Sequence, residues 1–157
     1  MQLSLVRILS AVVAFMSLAL ATSTSAQIVG DSGLLTVGGR TWRLWGLVVP
    51  TPDTACIGDW NAARAARKHL VQLVSGRTVD CEYRGKDAGG PDLAVCRADG
   101  KDIGADLVRA GLAWSYGNQS RDYVVDEGFA MSGVKGVHAR VCRLPAVLLN
   151  RPRIVPQ

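Results

Sequence analysis

The chain has 157 residues, and 48% of them are apolar. This is the size of one domain with enough apolar material for a core, so wholesale disorder is excluded. The formal net charge is +5, which favours an anionic partner but describes solubility and non-specific attraction rather than a function.

Residues 1–26 have the pattern of a secretory signal peptide. Arg7 supplies a positive charge, residues 8–20 form an apolar run, and residues 21–26 are small and polar. The run is shorter than the ~20 residues that a membrane-spanning helix needs. The sequence therefore predicts cleavage near Ala26, a secreted or periplasmic protein, and no membrane partner after cleavage. An uncleaved N-terminal anchor is the alternative.

All four cysteines follow this leader, which indicates two disulfides in an oxidising compartment. Cys81 and Cys96 lie on two predicted strands joined by a Gly-rich turn, so we expect the pairs Cys81–Cys96 and Cys56–Cys142. The cysteine spacing has no C-x-x-C and the two histidines are isolated. These features disfavour a zinc site.

The remaining chain has no composition break and no internal repeat, so residues 27–144 are predicted to form one domain. Residues 145–157 hold three prolines and are predicted to extend along the surface as a tail. The first predicted element is a hairpin of residues 34–37 and 40–49 that turns at Gly38-Gly39, and a helix capped by Asp59 or Asn61 and ended by Ser75-Gly76 follows it. The next is a hairpin of residues 78–83 and 93–97. A short helix at 102–112 and an amphipathic stretch at 122–131, ended by Gly133–Gly136, complete the domain. This order predicts an α+β fold, and about five short strands are compatible with an OB-type barrel.

Three stretches of the chain carry a family resemblance. They are GRTWRLWGLVVP at 39–50, RGKDAGGPDLAVCR at 84–97 and IGADLVRAGLA at 103–113. With the intervening helix they span roughly residues 28–141, and together they resemble the staphylococcal nuclease-like (thermonuclease) family. The resemblance implies a five-stranded OB-fold barrel with about three helices.

The resemblance also implies a Ca²⁺-dependent phosphodiesterase that cleaves DNA and RNA. In that chemistry, carboxylates from a D-G-D-T segment and from an R-L-x-x-I-D-x-P-E motif hold the metal. The Glu of the second motif orients or deprotonates water. Two arginines clamp the transition state, one beginning that motif and one ending a D-x-Y-G-R turn.

Arg43 matches the first of these arginines, but most other positions depart from the family pattern. Val48 stands at the metal-binding Asp of the second motif, Thr51 stands at its Glu, and Pro91 replaces the second arginine. Asp87 of the turn motif is retained, as is the Gly at position 90.

The D-G-D-T segment is ambiguous. A gap-free alignment places Gly33 at the metal-binding Asp, whereas a two-residue insertion places Asp31 there and preserves the strand phase. Asp31 is therefore a metal ligand only if the register shifts.

These replacements predict a degenerate nuclease site without a cofactor. Losing one preorganised charge-stabilising donor costs about 10²–10³ in rate, and cooperating groups fail together. Arg43 is then either an anion-binding residue or a strand arginine paired with an acid such as Asp31 or Asp53. Arg43 and Val48 would lie on opposite faces of a regular strand, so Gly46 is predicted to mark a bulge that brings them together.

Further candidate ligand-binding residues lie outside these motifs. Arg64, Arg67 and Lys68 share one helical face, which either tracks a polyanion or is a solvated basic surface. Trp114 and Tyr116 lie where the resemblance implies contacts with bases, so they are candidates for stacking or for core packing.

The same two readings, stacking and packing, apply to Trp42 and Trp45. His138 stands where the family's G-I-W segment has tryptophan, and we interpret it as a packing substitution.

Three functions are compatible with the sequence. The favoured one is a secreted thermonuclease-like domain that has lost catalysis and binds nucleic acid, another anionic polymer or a protein partner. The second is a Ca²⁺-dependent nuclease with repositioned carboxylates such as Asp31, Asp53 and Asp87. The third is an accessory protein of envelope or exopolysaccharide metabolism, a role suggested by some secreted members of the family.

Overall fold

The computed structural model describes residues 27–88 and 90–149. The predicted signal peptide and positions 150–157 of the predicted tail lie outside the described residues. The described chain is a mixed α+β fold, as predicted. It contains eight strands and five helices, two of which are only four residues long.

The predicted hairpins and the three longer helices all form. The strands are β1 Ile28–Val29, β2 Leu34–Val37, β3 Arg40–Leu44, β4 Leu47–Val48, β5 Val79–Lys86, β6 Asp92–Ala98, β7 Lys101–Asp102 and β8 Trp114–Ser115. The helices are α1 Ala62–Val74, α2 Ile103–Arg109, α3 Val124–Ser132, α4 Gly136–Ala139 and α5 Ala146–Leu149, and a 3-10 helix spans Asp31–Gly33.

The main sheet has the strand order β1-β2-β3-β6-β5, with β7 paired to β6. The pair β3–β6 is parallel, and the other pairs of this sheet are antiparallel. No ladder joins β1 to β5 in the described part of the chain, so the sheet does not close into a barrel there. Strands β4 and β8 form a separate antiparallel pair.

Helix α1 follows from its sequence pattern. Asn61, rather than Asp59, caps it, because the Asn61 side chain accepts a hydrogen bond from the Arg64 amide at 2.8 Å. Its buried residues recur at helical spacing and face the core, and they are Ala62, Ala66, Leu70 and Val74. The opposite face, which carries the basic residues, stays exposed.

Two clusters of buried residues hold the fold together. The larger one joins the main sheet to α1 and α2 and includes Leu35, Leu70 and Leu107. The smaller one contains Ala62, Trp114, Val137, Cys142 and Leu148.

Both disulfide predictions are confirmed. Cys81–Cys96 joins β5 to β6, and Cys56–Cys142 links the segment before α1 to the segment after α4. The second disulfide carries Cys142 into the smaller cluster. It therefore ties the C-terminal part of the described chain to the start of α1.

Two glycines allow α4 to lie against the end of α2. The Val137 amide donates to the Gly111 carbonyl at 2.9 Å. A Cβ atom on Gly136 would lie 1.9 Å from that carbonyl oxygen, and the φ of Gly136 is +49°. A side chain at position 136 therefore cannot be accommodated without moving the backbone.

The start of the predicted surface tail packs onto the domain. Residues Ala146–Leu149 form α5, and Leu148 is 1% exposed within the smaller cluster. This part of the chain is therefore a structural element rather than an extended surface segment. Among the described residues, no helix combines the length and apolar character needed to cross a membrane.

Candidate functional site

Most of the positions that align with the family's catalytic motifs line one cleft of about 310 Å³, whereas Pro91 does not. We call it the Arg43 cleft. Its lining comprises Ser32, Gly33, Arg43, Leu44, Leu47, Val48, Val49, Thr51, Asp87, Tyr116, Gln119, Pro145 and Val147. Five separate chain segments thus contribute to one concave surface.

A glycine turn brings Arg43 and Val48 to the same cleft. Strand β3 ends before this turn, and β4 begins after it. Gly46 has a φ of +74°, and a Cβ atom there would lie 3.0 Å from Ser120 and 3.2 Å from Tyr123. The Gly46 amide also donates to Gln119 Oε1 at 3.0 Å. A turn at Gly46 therefore stands in place of the predicted bulge, and Arg43 and Val48 both line the cleft.

Arg43 forms an ion pair with Asp87, not with the acids predicted as its partners. Arg43 Nε lies 3.1 Å from Asp87 Oδ2, and each side chain is 38% exposed. This contact is an ion pair and not a hydrogen bond. The enclosed Nε of Arg43 donates no hydrogen bond to any described residue. Asp87 thus balances the charge of Arg43, while the guanidinium donates no hydrogen bond to a described residue.

Asp31 lies outside the cleft. It faces a separate depression beside α1, where its carboxylate lies 3.8 Å from Arg67 Nε. Gly33 is the residue of this segment that lines the cleft, together with Ser32. A Cβ atom on Gly33 would lie 2.5 Å from Val49 Cγ2, at a φ of +75°.

Thr51 and Asp53 form a small polar turn at the edge of the cleft. The Thr51 hydroxyl donates to Asp53 Oδ1, and the Thr51 amide donates to Thr54 Oγ1 at 2.9 Å. The hydrogen bond from Thr51 lowers the pKa of Asp53 below its usual range. Thr51 lines the cleft, whereas Asp53 is turned into this local network.

Pro91 closes the turn that carries Asp87. The Asp87 amide donates to the Pro91 carbonyl at 3.4 Å, and the Gly90 amide donates to the Asp87 carbonyl at 3.1 Å. Pro91 itself does not line the cleft in the described chain. The turn therefore presents Asp87 without a second cation beside it.

The lining of the cleft does not fit a calcium ion. Ca²⁺ takes six to eight oxygen ligands, several of them carboxylates. Asp87 is the one carboxylate among the described lining residues, and Arg43 already pairs with it. Across the described ranges, no three His, Cys, Asp or Glu side chains come together.

The candidate stacking residues divide into buried and open rings. Trp114 is 2% exposed within the smaller cluster, so its ring is core rather than ligand surface. Trp42 is 7% exposed, and the Arg40 guanidinium lies 4.2 Å from its ring centroid. Trp45 is half-buried after β3, while Tyr116 lines the Arg43 cleft.

A second concave surface runs along the exposed side of α1. We call it the α1 groove, and its lining comprises Gly58, Asp59, Trp60, Asn61, Arg64, Ala65, Lys68 and Arg140. Arg67, which shares the basic face of α1, instead leans toward Asp31.

The three cations of the α1 groove are Arg64, Lys68 and Arg140. None of them forms an ion pair with a carboxylate of the described chain. Arg43, in contrast, is paired within its own cleft. Asp59 lines the same groove, so three cations and one carboxylate leave a net positive charge beside the half-buried ring of Trp60.

Sequence reasoning missed Arg140 and Trp60. The Ile57 amide donates to the Arg140 carbonyl at 2.9 Å, next to the Cys56–Cys142 disulfide. The predicted disulfide was thus a signal that residues near position 140 lie beside residues 57–60.

His138, interpreted as a packing substitution, lies on α4 and is half-buried.

No protein-family model matches this chain, and no curated protein matches it. The staphylococcal nuclease-like assignment therefore remains a proposal.

Proposed function

We propose that this chain is a secreted staphylococcal nuclease-like domain that has lost catalysis and binds nucleic acid through the α1 groove. Three lines of support are independent of one another. They are the strand order, the lining of the Arg43 cleft and the unpaired cations beside α1.

The strand order supports an OB-type barrel. Strands β1, β2 and β3 are antiparallel neighbours, β5 and β6 form a hairpin after α1, and β6 pairs in parallel with β3. An OB fold is a partly open five-stranded barrel, so an incomplete closure between β1 and β5 is compatible with it.

The clustering of the aligned positions supports the family register. Gly33, Asp87 and the segment that holds Arg43, Val48 and Thr51 come from three parts of the chain, and all line one cleft, whereas Pro91 does not. The meeting of three separate motif segments is what the family register predicts. Because that cleft has one paired carboxylate, one paired arginine and an aliphatic wall, it lacks the groups for metal-assisted hydrolysis.

One observation carries the binding proposal. Arg64, Lys68 and Arg140 line a single groove and have no carboxylate partner in the described chain. All three are exposed, and exposed cations without an internal partner attract phosphates and release the polymer's counterions. Trp60 offers a ring at the same surface, and aromatic rings stack on bases without regard to sequence.

Fluorescence anisotropy with a labelled single-stranded thymidine oligonucleotide tests this proposal on the disulfide-bonded protein. Three phosphate contacts predict a slope of about −2 for log K against log salt concentration. Lys68→Gln and Arg140→Gln should each weaken binding and reduce the slope by about 0.7. Arg67→Gln is the matched control, because Arg67 leans toward Asp31 and does not line the groove.

Two outcomes would contradict the proposal. One is an absence of salt-dependent oligonucleotide binding, and the other is an equal loss of affinity in Arg67→Gln and Lys68→Gln. Salt-dependent binding of heparin without binding of the oligonucleotide would instead favour the role in envelope or exopolysaccharide metabolism.

A further inference from the structure

The lining of the Arg43 cleft is mostly apolar and includes a few polar groups. Its apolar side chains include Leu47, Val48, Val49 and Val147, and Arg43 and Asp87 are its charged members. Small-molecule sites are concave and mostly apolar, with volumes of about 300–1,000 Å³ and a few polar groups that fix orientation. The cleft, at about 310 Å³, has this composition and the lower end of this size range.

The side of the cleft contributed by the C-terminal segment is anchored. Leu148 is buried in the smaller cluster, and the Arg143 amide donates to the Ala55 carbonyl at 2.8 Å. The Cys56–Cys142 disulfide closes the same connection. Pro145 and Val147 are therefore held at the cleft by covalent and packing constraints, and a ligand would meet a preformed wall.

The polar part of the lining offers hydrogen-bond donors without acceptors. A guanidinium has five N–H donors, and Arg43 donates none of them in a hydrogen bond to a described residue. Its Nε is enclosed beside Asp87, so a ligand would bind through the two Nη groups. A planar carboxylate is the group that an arginine fork recognises in two parallel hydrogen bonds.

We infer that the Arg43 cleft binds a small amphipathic monocarboxylate, with its carboxylate on Arg43 and its apolar body against Val48 and Val147. This site is distinct from the α1 groove and takes a different class of ligand. Asp87 lies beside Arg43, so a ligand with several negative charges, such as a polyphosphate, would meet more repulsion than a monoanion. The apolar wall supplies affinity only to a ligand that has hydrocarbon to bury.

Isothermal titration with octanoate tests the inference on the disulfide-bonded protein. Octan-1-ol has the same chain without the charge, and octylammonium has the opposite charge. Octanoate should bind about tenfold or more tightly than either comparison ligand, because a hydrogen bond to a charged partner is lost in both. Equal binding of octanoate and octan-1-ol, or no binding of octanoate, would overturn the inference.

Two variants locate the ligand. Arg43→Gln should weaken octanoate binding about tenfold while leaving octan-1-ol unchanged. Val147→Asp should weaken both ligands, and its side chain is 43% exposed, so the substitution is compatible with folding. The control Arg40→Gln lies on the same strand, where Arg40 pairs with Asp92 outside the cleft.

The same titration separates this site from the nucleic-acid proposal. Lys68→Gln should weaken the oligonucleotide and leave octanoate binding unchanged. If Arg43→Gln and Val147→Asp both bind octanoate as the unsubstituted protein does, the ligand is not in this cleft and the inference is wrong, whatever the oligonucleotide shows.

Discussion

Asp87 Oδ2 lies 3.1 Å from Arg43 Nε, although α1 and the whole of β5 separate the two residues in the chain. This contact balances the one cation among the described residues that line the Arg43 cleft. A net positive charge lies instead along α1, at Lys68 and its neighbours. The net positive groove and the positions that align with the nuclease motifs therefore lie on separate surfaces.

In the gap-free alignment, position 33 is where the family pattern has a metal-binding Asp. Placing an Asp there should destabilise this protein. A Cβ atom there would lie 2.5 Å from Val49 Cγ2, and the backbone has a positive φ. We expect Gly33→Asp to lower the free energy of unfolding by about 1–3 kcal/mol, as overpacking does. Urea denaturation measures the change.

The variant Val49→Ala supplies the matched control. Gly33→Asp should cost less when Val49→Ala is present, because the methyl group that it meets has been removed. Equal costs in both backgrounds would show that the contact with Val49 is not the cause. A reconstruction of the metal site at positions 33, 48, 51 and 91 should therefore include Val49→Ala.

The two disulfides should contribute unequally to stability. Cys56–Cys142 closes a separation of 86 residues, and Cys81–Cys96 closes one of 15. In the chain-entropy account these correspond to about 4.6 and about 3 kcal/mol. Urea denaturation of the two paired Cys→Ser variants should therefore rank the Cys56–Cys142 loss as the larger, and the opposite order would contradict the account.

The longer disulfide should also affect ligand binding. It lies beside Arg140 and holds that residue at the α1 groove. The Cys56→Ser/Cys142→Ser variant should bind the oligonucleotide more weakly under conditions in which it remains folded. Cys81→Ser/Cys96→Ser is the matched comparison and should bind normally, because that disulfide lies within β5 and β6.

Stability should fall at high pH through Tyr123. Burial, and then the neighbouring Asp102 carboxylate that accepts its hydroxyl hydrogen bond, raise the pKa of Tyr123. Because the folded-state pKa lies above the unfolded value of about 10, this contribution is complete below about pH 10. It is lost as the pH rises through the raised pKa.

Comparison of Tyr123→Phe with the unsubstituted protein isolates this effect. The stability advantage of the unsubstituted protein should be constant below about pH 10 and should shrink as the pH rises from there to about 11. Tyr83→Phe is the control, because the side chain of Tyr83 is 52% exposed. A constant difference for Tyr123→Phe across this range would contradict the assignment.

Local sequence signals predicted much of the fold. Alanines and leucines at helical spacing defined the buried side of α1, and the Gly38-Gly39 pair defined the first hairpin. The disulfide Cys81–Cys96 followed from two adjacent strands. In each case the interaction joins residues that are near in sequence or in directly connected elements.

Long-range packing was not predictable in the same way. Nothing near Trp114 in sequence indicated that its ring would be enclosed by Val137 and Leu148. Arg43 had several acids within plausible reach, and the choice of Asp87 depends on how the β5–β6 turn meets β3. These contacts depend on the assembled fold rather than on local propensity.

One gel-shift measurement tests whether the protein binds nucleic acid without cleaving it. Supercoiled plasmid is incubated with the disulfide-bonded protein in Ca²⁺ at low salt, and half of each reaction is deproteinised before electrophoresis. The account predicts plasmid that is retarded by the protein and returns as intact supercoiled DNA after deproteinisation. Relaxed or linear DNA that is produced only with Ca²⁺, and is lost in Arg43→Ala, would contradict it.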